Sequence, residues 1–161
     1  MTNPRELARQ AIVAKVESLK ALFTDYNLLV EYANGDVVNT ALQKNPYLKV
    51  RIVYQDGSQI DLGEEPGHRL IGTIVIEACV KEGSGTKQAN DLLNHFYPYM
   101  HMTDKIPPVR TLAARFASRN AVNGWVAEAA IIPFWVDAFS IGILPRLKTG
   151  DSNSENHATH D

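Results

Sequence analysis

The chain has 161 residues, a length that fits one globular domain, and its 45% apolar and 21% charged residues exclude wholesale disorder and a fibrous repeat. Its 16 Lys and Arg against 18 Asp and Glu give a net charge of -2, so no basic excess argues for a nucleic-acid or anionic-membrane surface. A single cysteine excludes an intrachain disulfide, and the apolar runs are too short to predict a membrane helix or an export signal.

The first predicted element is a helix that begins at Pro4. Asn3 is placed to cap this helix, and Glu6 is placed to complete a capping box. Helical spacing of apolar residues predicts that the helix ends near Thr24 and packs one stripe on the domain, through Ala8, Ile12, Val16, Leu19 and Phe23.

Two strands and a loop are predicted next. A short strand spans Leu28 to Tyr32. Apolar and cationic side chains then alternate over residues 48–54, which predicts a half-buried strand, and "QDGS" after it predicts a hairpin turn. The segment "GEEPGHR", residues 63–69, predicts an exposed loop.

The middle of the chain predicts an inner strand followed by a second helix. "RLIGTIVIEACVK", residues 69–81, is rich in β-branched side chains and apolar on both faces, as expected for a strand covered on both sides. Gly72 permits a close backbone approach within it. After a glycine turn, residues 89–97 show helical spacing, and Pro98 ends the helix.

Two further strands and a polar tail complete the chain. "RTLAARFAS" and "GWVAEAAIIPFWVD" predict strands joined by the turn "RNAVNG", and Pro133 predicts that the last strand is an edge strand or carries a bulge. Residues 146–161 predict a flexible, disordered tail after a single domain over residues 1–145. The order predicts an α+β fold with a mostly antiparallel sheet of about five strands and two main helices on one face.

The stretch "VKEGSGTKQAND" raises the question of a phosphate-binding loop. Lys87 does not stand where a phosphate loop needs it, and Gln88 occupies the small-residue position of a dinucleotide fingerprint. The simpler interpretation is that Gly83 and Gly85 let the chain reverse before a helix capped by Ser84 or Thr86. A nucleotide-binding enzyme remains a distant alternative.

Other candidate sites are not supported by their spacing. His95 and His101 lack a zinc-site spacing and are predicted to be surface residues. Trp125 and Trp135 are ten residues apart, share one face of a strand, and are typical of a core or a subunit interface. We therefore predict no catalytic, metal-binding or cofactor-binding residue.

Two segments carry a family resemblance. "HRLIGTIVIEACVKEGSGTKQANDLLNHFY" and "NGWVAEAAIIPFWVD" resemble the tail terminator, or tail completion, family of long-tailed bacteriophages. In that family an Arg-x-x-Gly strand leads to a Gly-x-Gly turn and an Ala-containing helix, and the chain closes with a Gly-Trp strand ending in Ile-Pro-Phe. The resemblance spans about residues 4–138 and matches Arg69, Gly72, Gly83, Gly85, Ala89, Gly124, Trp125, Ile132, Pro133 and Phe134.

The resemblance implies a structural virion protein and not an enzyme. Six copies would form a ring on the end of the tail tube, stop its polymerisation and provide the surface that joins tail to head. Its partners would be the tail tube protein, a head-tail connector or neck protein, and a sheath protein if the tail is contractile. DNA would pass through the ring without sequence-specific binding, and no membrane would be involved. The protein would assemble in the bacterial cytoplasm. Another neck or minor tail component is the alternative.

A ring needs two different complementary surfaces on each subunit. The sequence predicts one half on the strand over residues 125–137, as an edge with exposed aromatic side chains, and the other half on the loop over residues 55–69. The candidate interface residues are Asp56, Gly57, Glu64, Glu65, His68, Arg69, Trp125 and Trp135. The candidate structural residues at turns and close approaches are Gly72, Gly83, Gly85 and Gly124.

Overall fold

A computed structural model of the chain describes residues 3–55, 58–59 and 67–139. The predicted α+β class is confirmed: two α-helices and one mostly antiparallel sheet make up the described part of the chain. The elements, in chain order, are α1 Pro4–Ala21, β1 Val30–Tyr32, β2 Tyr47–Tyr54, β3 Ser58–Gln59, β4 Gly67–Lys81, α2 Lys87–Asn94, a 3-10 turn Tyr97–Tyr99, β5 Arg110–Thr111, β6 Arg115–Val122 and β7 Trp125–Phe139. The predicted tail over residues 146–161 lies outside the described residues.

Helix α1 begins as predicted. The Asn3 side chain accepts a hydrogen bond from the Arg5 backbone N–H at 2.8 Å, which satisfies one of the free amides of the first turn. The capping box is wrong, because the Glu6 carboxylate binds the Arg9 guanidinium instead, at 2.6 and 2.9 Å. The helix ends at Ala21, earlier than Thr24. Among the described residues no helix is long and apolar enough to cross a membrane.

The N-cap gives a direct stability prediction. Asn3→Ala should lower the free energy of unfolding by about 1 kcal/mol, because the Arg5 amide loses its acceptor at the start of the helix. Asn3→Asp keeps an acceptor in the same place and should unfold at the same urea concentration as the native protein or a higher one. Equal urea midpoints for the alanine and aspartate variants would contradict the prediction.

The sheet has the order β1-β2-β4-β7-β5, with β3 added beside β4 and β6 beside β7. Only the β1–β2 pair is parallel among the described strands. Strand β2 pairs with β4 along its whole length, from Tyr47 opposite Cys79 to Tyr54 opposite Gly72. The hairpin predicted after β2 is therefore wrong, since the next strand, β3, also pairs with β4. The predicted loop over residues 63–69 is wrong at its end, because β4 already begins at Gly67.

The inner position predicted for β4 is confirmed, since it lies between β2 and β7. Of the two alternatives predicted for β7, the edge position is wrong, because β7 pairs with β4 on one side and with β5 and β6 on the other. The pairing of β6 with β7 does shift register between Arg119 and Val122, but this irregularity is not at Pro133. Pro133 is tolerated within β7 for a local reason. Its carbonyl accepts from the Leu112 N–H at 2.8 Å, so its missing N–H falls between the end of β5 and the start of β6.

The connections also differ in detail from the prediction. The single strand predicted over residues 110–118 is divided into β5 and β6, and the turn to β7 consists of Asn123 and Gly124, with φ of 52° and 80°. This pair of positive φ values is typical of a two-residue hairpin turn. The reversal predicted at Gly83 and Gly85 is confirmed by φ values of 86° and 82°.

The start of α2 differs from the predicted cap. Thr86 occupies the N-cap position without a side-chain hydrogen bond, and the Ser84 hydroxyl donates to the Lys81 carbonyl at 2.6 Å. The Ser84 side chain therefore stabilises the turn that leaves β4 and does not cap the helix.

The core lies between the two helices and one face of the sheet. Alternate residues of a strand point to opposite faces, and in β2, β4 and β7 the even-numbered residues face the helices. The helices contribute Ala8, Ile12, Val16, Leu19, Ala89, Leu92 and Leu93, and the sheet contributes Leu48, Val50, Ile74, Ile76, Ala78, Val80, Ala130, Ile132, Phe134 and Val136. The predicted stripes are therefore confirmed within the helices, whereas Phe23, Phe96 and Tyr97 lie beyond the ends of α1 and α2 and pack against the core from there.

Candidate assembly surface

The other face of the sheet has no helix of the described chain over it. It is formed by the odd-numbered residues of β1, β2, β4, β6 and β7, together with Arg110 of β5, and is termed the open face. The buried cluster on this side contains no helical residue and consists of Tyr47, Cys79, Trp125 and Ala127. From β2 to β6, the side chains of the open face therefore point away from the two helices.

The open face is basic although the protein is not. Register places seven cations and three acids on it: Lys49, Arg51, Arg69, Lys81, Arg110, Arg115 and Arg119 against Glu31, Glu77 and Asp137. The face therefore carries a formal net charge of +4. The whole chain carries -2; of the difference of -6, the other described residues carry -1, and residues outside the described part of the chain carry -5. The net charge of the whole chain therefore does not reveal the basic open face. The positive charge of this face favours binding of an acidic partner there.

A buried carboxylate with two arginines stands at the centre of the open face. The Glu77 side chain is 4% exposed, and its Oε1 lies 3.2 Å from Arg51 Nη2 and 2.6 Å from Arg119 Nε. Arg119 reaches across β7, where the neighbouring side chains of Ala127 and Ala129 are small. This Arg51–Glu77–Arg119 triad joins β2, β4 and β6, and the guanidinium groups keep N–H donors for a further acceptor.

One end of the open face is packed as a core. The Tyr47 and Trp125 rings meet edge to face with centroids 5.1 Å apart, and the Trp125 indole N–H donates to the Thr40 carbonyl at 3.4 Å. Trp125 is 7% exposed. Of the two positions predicted for it, a core or an interface, it therefore occupies the core of the subunit. The expectation of an exposed aromatic side chain at this position is wrong.

The thiol in this cluster gives a pH prediction. Burial raises the pKa of Cys79 from 9.0 to about 11. The stability that comes from keeping this thiol neutral is fully present below pH 9 and is lost as the pH rises from 9 towards 11. The free energy of unfolding should therefore fall by about 2–3 kcal/mol more in the native protein than in Cys79→Ala over this interval. Urea titrations at each pH measure this difference, and parallel curves would contradict it.

The other end of the open face contains two of the predicted interface residues. Arg69 binds Asp137 through two contacts of 2.8 and 3.2 Å, and its guanidinium lies 5.4 Å from the centroid of the Trp135 ring. Trp135 is partly exposed. Trp125 and Trp135 share a face as predicted, but ten residues of extended strand separate them by about 33 Å, so they do not form one aromatic site.

The remaining predicted residues fall in different places. His68 lies in β4 opposite Ala138 and not in a loop. Four candidates, Asp56, Gly57, Glu64 and Glu65, lie outside the described residues. His95 and His101 are partly exposed, and each makes one hydrogen bond to the backbone: His95 Nε2 donates to the Leu19 carbonyl at 2.9 Å, and His101 Nδ1 accepts from the Ala114 amide at 3.3 Å.

The glycine positions have the predicted structural roles. A Cβ on Gly72 would lie 2.4 Å from the Phe134 ring and 2.8 Å from the Val53 carbonyl oxygen, so only glycine fits between these neighbours. Gly124 has a positive φ with open space around it. Near the Gly83 turn, the Lys87 ammonium pairs with Asp91 at 2.9 Å, one helical turn further along α2.

No sequence motif identifies the triad, although the sequence contains a signal for its central carboxylate. Glu77 is the only charged residue between Arg69 and Lys81, inside an otherwise apolar strand. A carboxylate in such a run is expected to be buried with a cation. Strand alternation in β2 places Lys49 and Arg51 on one face, but their partner strand could not be identified from the local pattern.

Comparison with known proteins supports the fold. No known family matches the sequence, and no curated protein is found as a relative. Among solved structures 21 chains match. One of them, which bears only a sequence identifier as its name, has a TM-score of 0.60 and 15% identity, with 84% of this chain and 96% of that chain covered. At this identity the similarity shows a shared fold alone.

Proposed function

We propose that this protein is a tail terminator of a long-tailed bacteriophage, which forms a hexameric ring on the end of the tail tube, stops its polymerisation and provides the surface for head joining. The observation that carries the proposal is the open face. It is a wide sheet surface without a helical cover among the described residues, rich in arginine and bearing an aromatic side chain, which is the composition enriched at protein–protein contacts.

Two of the positions that resemble tail terminators pack directly against each other, which supports the proposal. Gly72 and Phe134 come from the two separate matched segments and are in direct contact. Arg69, three residues before Gly72, pairs with Asp137, three residues after Phe134. Three matched residues, Arg69, Gly72 and Phe134, thus lie where β4 contacts β7, within the sheet that carries the open face.

The distribution of charge is compatible with a ring through which DNA moves. Outside the open face the described residues carry seven cations and eight acids, a net charge of -1. A channel lined by that part of the surface would have no excess of Lys and Arg to hold phosphates, so DNA could pass. The open face would then be available for protein partners, namely adjacent subunits, the tube protein, or the head-tail connector.

Purified protein and tail tubes of its phage provide the test. We expect rings of about six subunits by native mass spectrometry and electron microscopy, either alone or on tube ends. Adding the protein during tube assembly should shorten the tubes, and removing its gene should give overlong tubes without heads. A protein that stays monomeric, does not bind tube ends and leaves tube length unchanged would contradict the proposal.

The same preparation separates the alternatives. Binding to the head-tail connector with no effect on tube ends would indicate another neck component. A rise of the melting temperature with added nucleotide would indicate a ligand site at the Gly83 turn, since a ligand that binds only the folded protein stabilises it. We expect no such rise, because Lys87 does not stand where a phosphate loop needs it and Gln88 occupies the small-residue position of a dinucleotide fingerprint.

A further inference from the structure

We propose that the centre of the open face binds the acidic segment over residues 55–66 of a second copy of this chain. The inference builds on the proposed ring, because it names the two unlike surfaces through which adjacent subunits meet. It rests on charge complementarity, on the reach of the chain, and on the buried carboxylate at the centre of the open face.

The charges of the two surfaces match. The segment "QDGSQIDLGEEP" contains four acids, Asp56, Asp61, Glu64 and Glu65, and no Lys or Arg. Its net charge of -4 equals in magnitude the +4 of the open face. Within the described residues neither Lys49 nor Arg115 forms an ion pair, so both can bind a carboxylate of the partner.

The segment cannot reach the centre of its own open face. Residues 60–66 connect Gln59 to Gly67, and a chain of that length extends at most about 14 Å beyond its two ends. Glu77 lies nine residues along β4 from His68, which is about 30 Å of extended strand. The carboxylates that bind beside the triad must therefore come from another molecule.

The centre of the open face suits a protein carboxylate better than a nucleic acid. Glu77 places a negative charge between Arg51 and Arg119, and it would repel the closely spaced phosphates of DNA. A short acidic segment can direct its few carboxylates to the outer N–H groups of the arginines and avoid Glu77. A broad depression of about 950 Å³ between the centre and the Arg69 end of the open face offers space for part of such a segment; its lining includes Arg110, Arg115 and Trp135, and also Asp104.

The contact also has the geometry of a ring. The open face of one subunit and the segment of the next are different surfaces, so each subunit uses both once and the chain of contacts can close on itself. A contact between two open faces would bring like charges together and is disfavoured. The positive open face and the negative segment of each subunit therefore favour a head-to-tail arrangement of neighbouring subunits.

Charge reversal on each side, alone and together, tests this contact. The face variant is Lys49→Glu with Arg115→Glu, which leaves the triad intact, and the segment variant is Glu64→Lys with Glu65→Lys. We expect each to lower the association constant between copies about tenfold or more in native mass spectrometry and ultracentrifugation. The variant that carries all four substitutions leaves both surfaces with a net charge of zero but places opposite charges at the exchanged positions, so it should recover association in part and associate more strongly than either parent variant.

A matched control carries Lys44→Glu with Lys105→Glu, the same change of charge on exposed residues outside the open face, and should associate like the native protein. Circular dichroism melts identify any variant that fails to fold. In that case Lys49→Gln with Arg115→Gln replaces the face variant and should weaken association less strongly but measurably.

The outcomes distinguish this inference from the proposed function. Rings that cap tubes but do not respond to charge reversal overturn the inference and leave the proposed function standing. Association that responds to charge without any tube capping supports the inference and contradicts the proposed function. A native protein whose copies do not associate either alone or on tube ends, or binding of fluorescent duplex DNA that only the face variant loses, overturns the inference.

Discussion

Replacing Arg51 and Arg119 together by methionine should lower the free energy of unfolding by about 3 kcal/mol or more. The Glu77 side chain is 4% exposed, and both arginines contact the same carboxylate oxygen. Methionine preserves much of the aliphatic stem, so the loss comes from leaving a buried carboxylate without a cation and not from lost packing. Each single replacement should cost about 1 kcal/mol, because the other arginine remains.

Urea denaturation of the four proteins forms a double-mutant cycle. A loss in the double variant greater than the sum of the single losses is the expected sign of two cations that share one carboxylate. Adding Glu77→Leu to the double variant should recover most of the stability, because an apolar side chain needs no partner there. Additive single effects, or no recovery with leucine, would show that Glu77 is not buried as an ion.

The elements that local signals specify were predicted correctly. Asn3 and Pro4 define the start of α1 by cap chemistry, and the β-branched run that includes Ile74 identifies the inner strand β4. In both cases the determining interactions lie within a few residues of one another or follow from hydrophobicity alone. The α+β class follows from the order of such elements.

The errors concern pairing between distant residues. The pattern of β2 is the same whether its partner is the next segment or β4, and only the complete sheet selects β4. Pro133 indicates an edge strand when it is considered by itself. In the structure the missing N–H faces the interval between β5 and β6, so β7 remains an inner strand. This interval lies around Leu112, about twenty residues before Pro133 in the chain, so the local sequence at Pro133 does not reveal it.

The open face was not predictable as a site for the same reason. Its cations come from β2, β4, β5 and β6, between Lys49 and Arg119, and no local cluster reveals them. The net charge of -2 argues against a basic surface, yet sheet register gathers seven cations on one side. The sequence predicted the loop acids and Arg69 as interface residues but did not locate the surface that complements those acids.

Gly72→Ala should lower the free energy of unfolding by about 2–3 kcal/mol, more than the same replacement at Gly83, Gly85 or Gly124. The added Cβ would lie 2.4 Å from the Phe134 ring, which is 1% exposed and fixed within the core. It would also lie 2.8 Å from the backbone oxygen of Val53, which cannot move without displacing β2. Both contacts are far below the ordinary separation of nonbonded atoms, so the three strands must shift.

Gly83→Ala is the matched control, because it tests backbone conformation without a steric clash. Gly83 has a φ of 86°, and a Cβ added there would meet no other atom of the described residues within 4 Å. Its replacement should therefore cost about 1 kcal/mol from the left-handed conformation alone.

Adding Phe134→Leu to Gly72→Ala should recover only part of the loss, since the Val53 oxygen remains in place. A loss at Gly72 no larger than at Gly83, measured by urea denaturation, would show that β2, β4 and β7 do not pack as closely as the structure describes. The open face depends on that packing, because the same three strands hold Arg51, Glu77 and, through β7, Arg119 in contact.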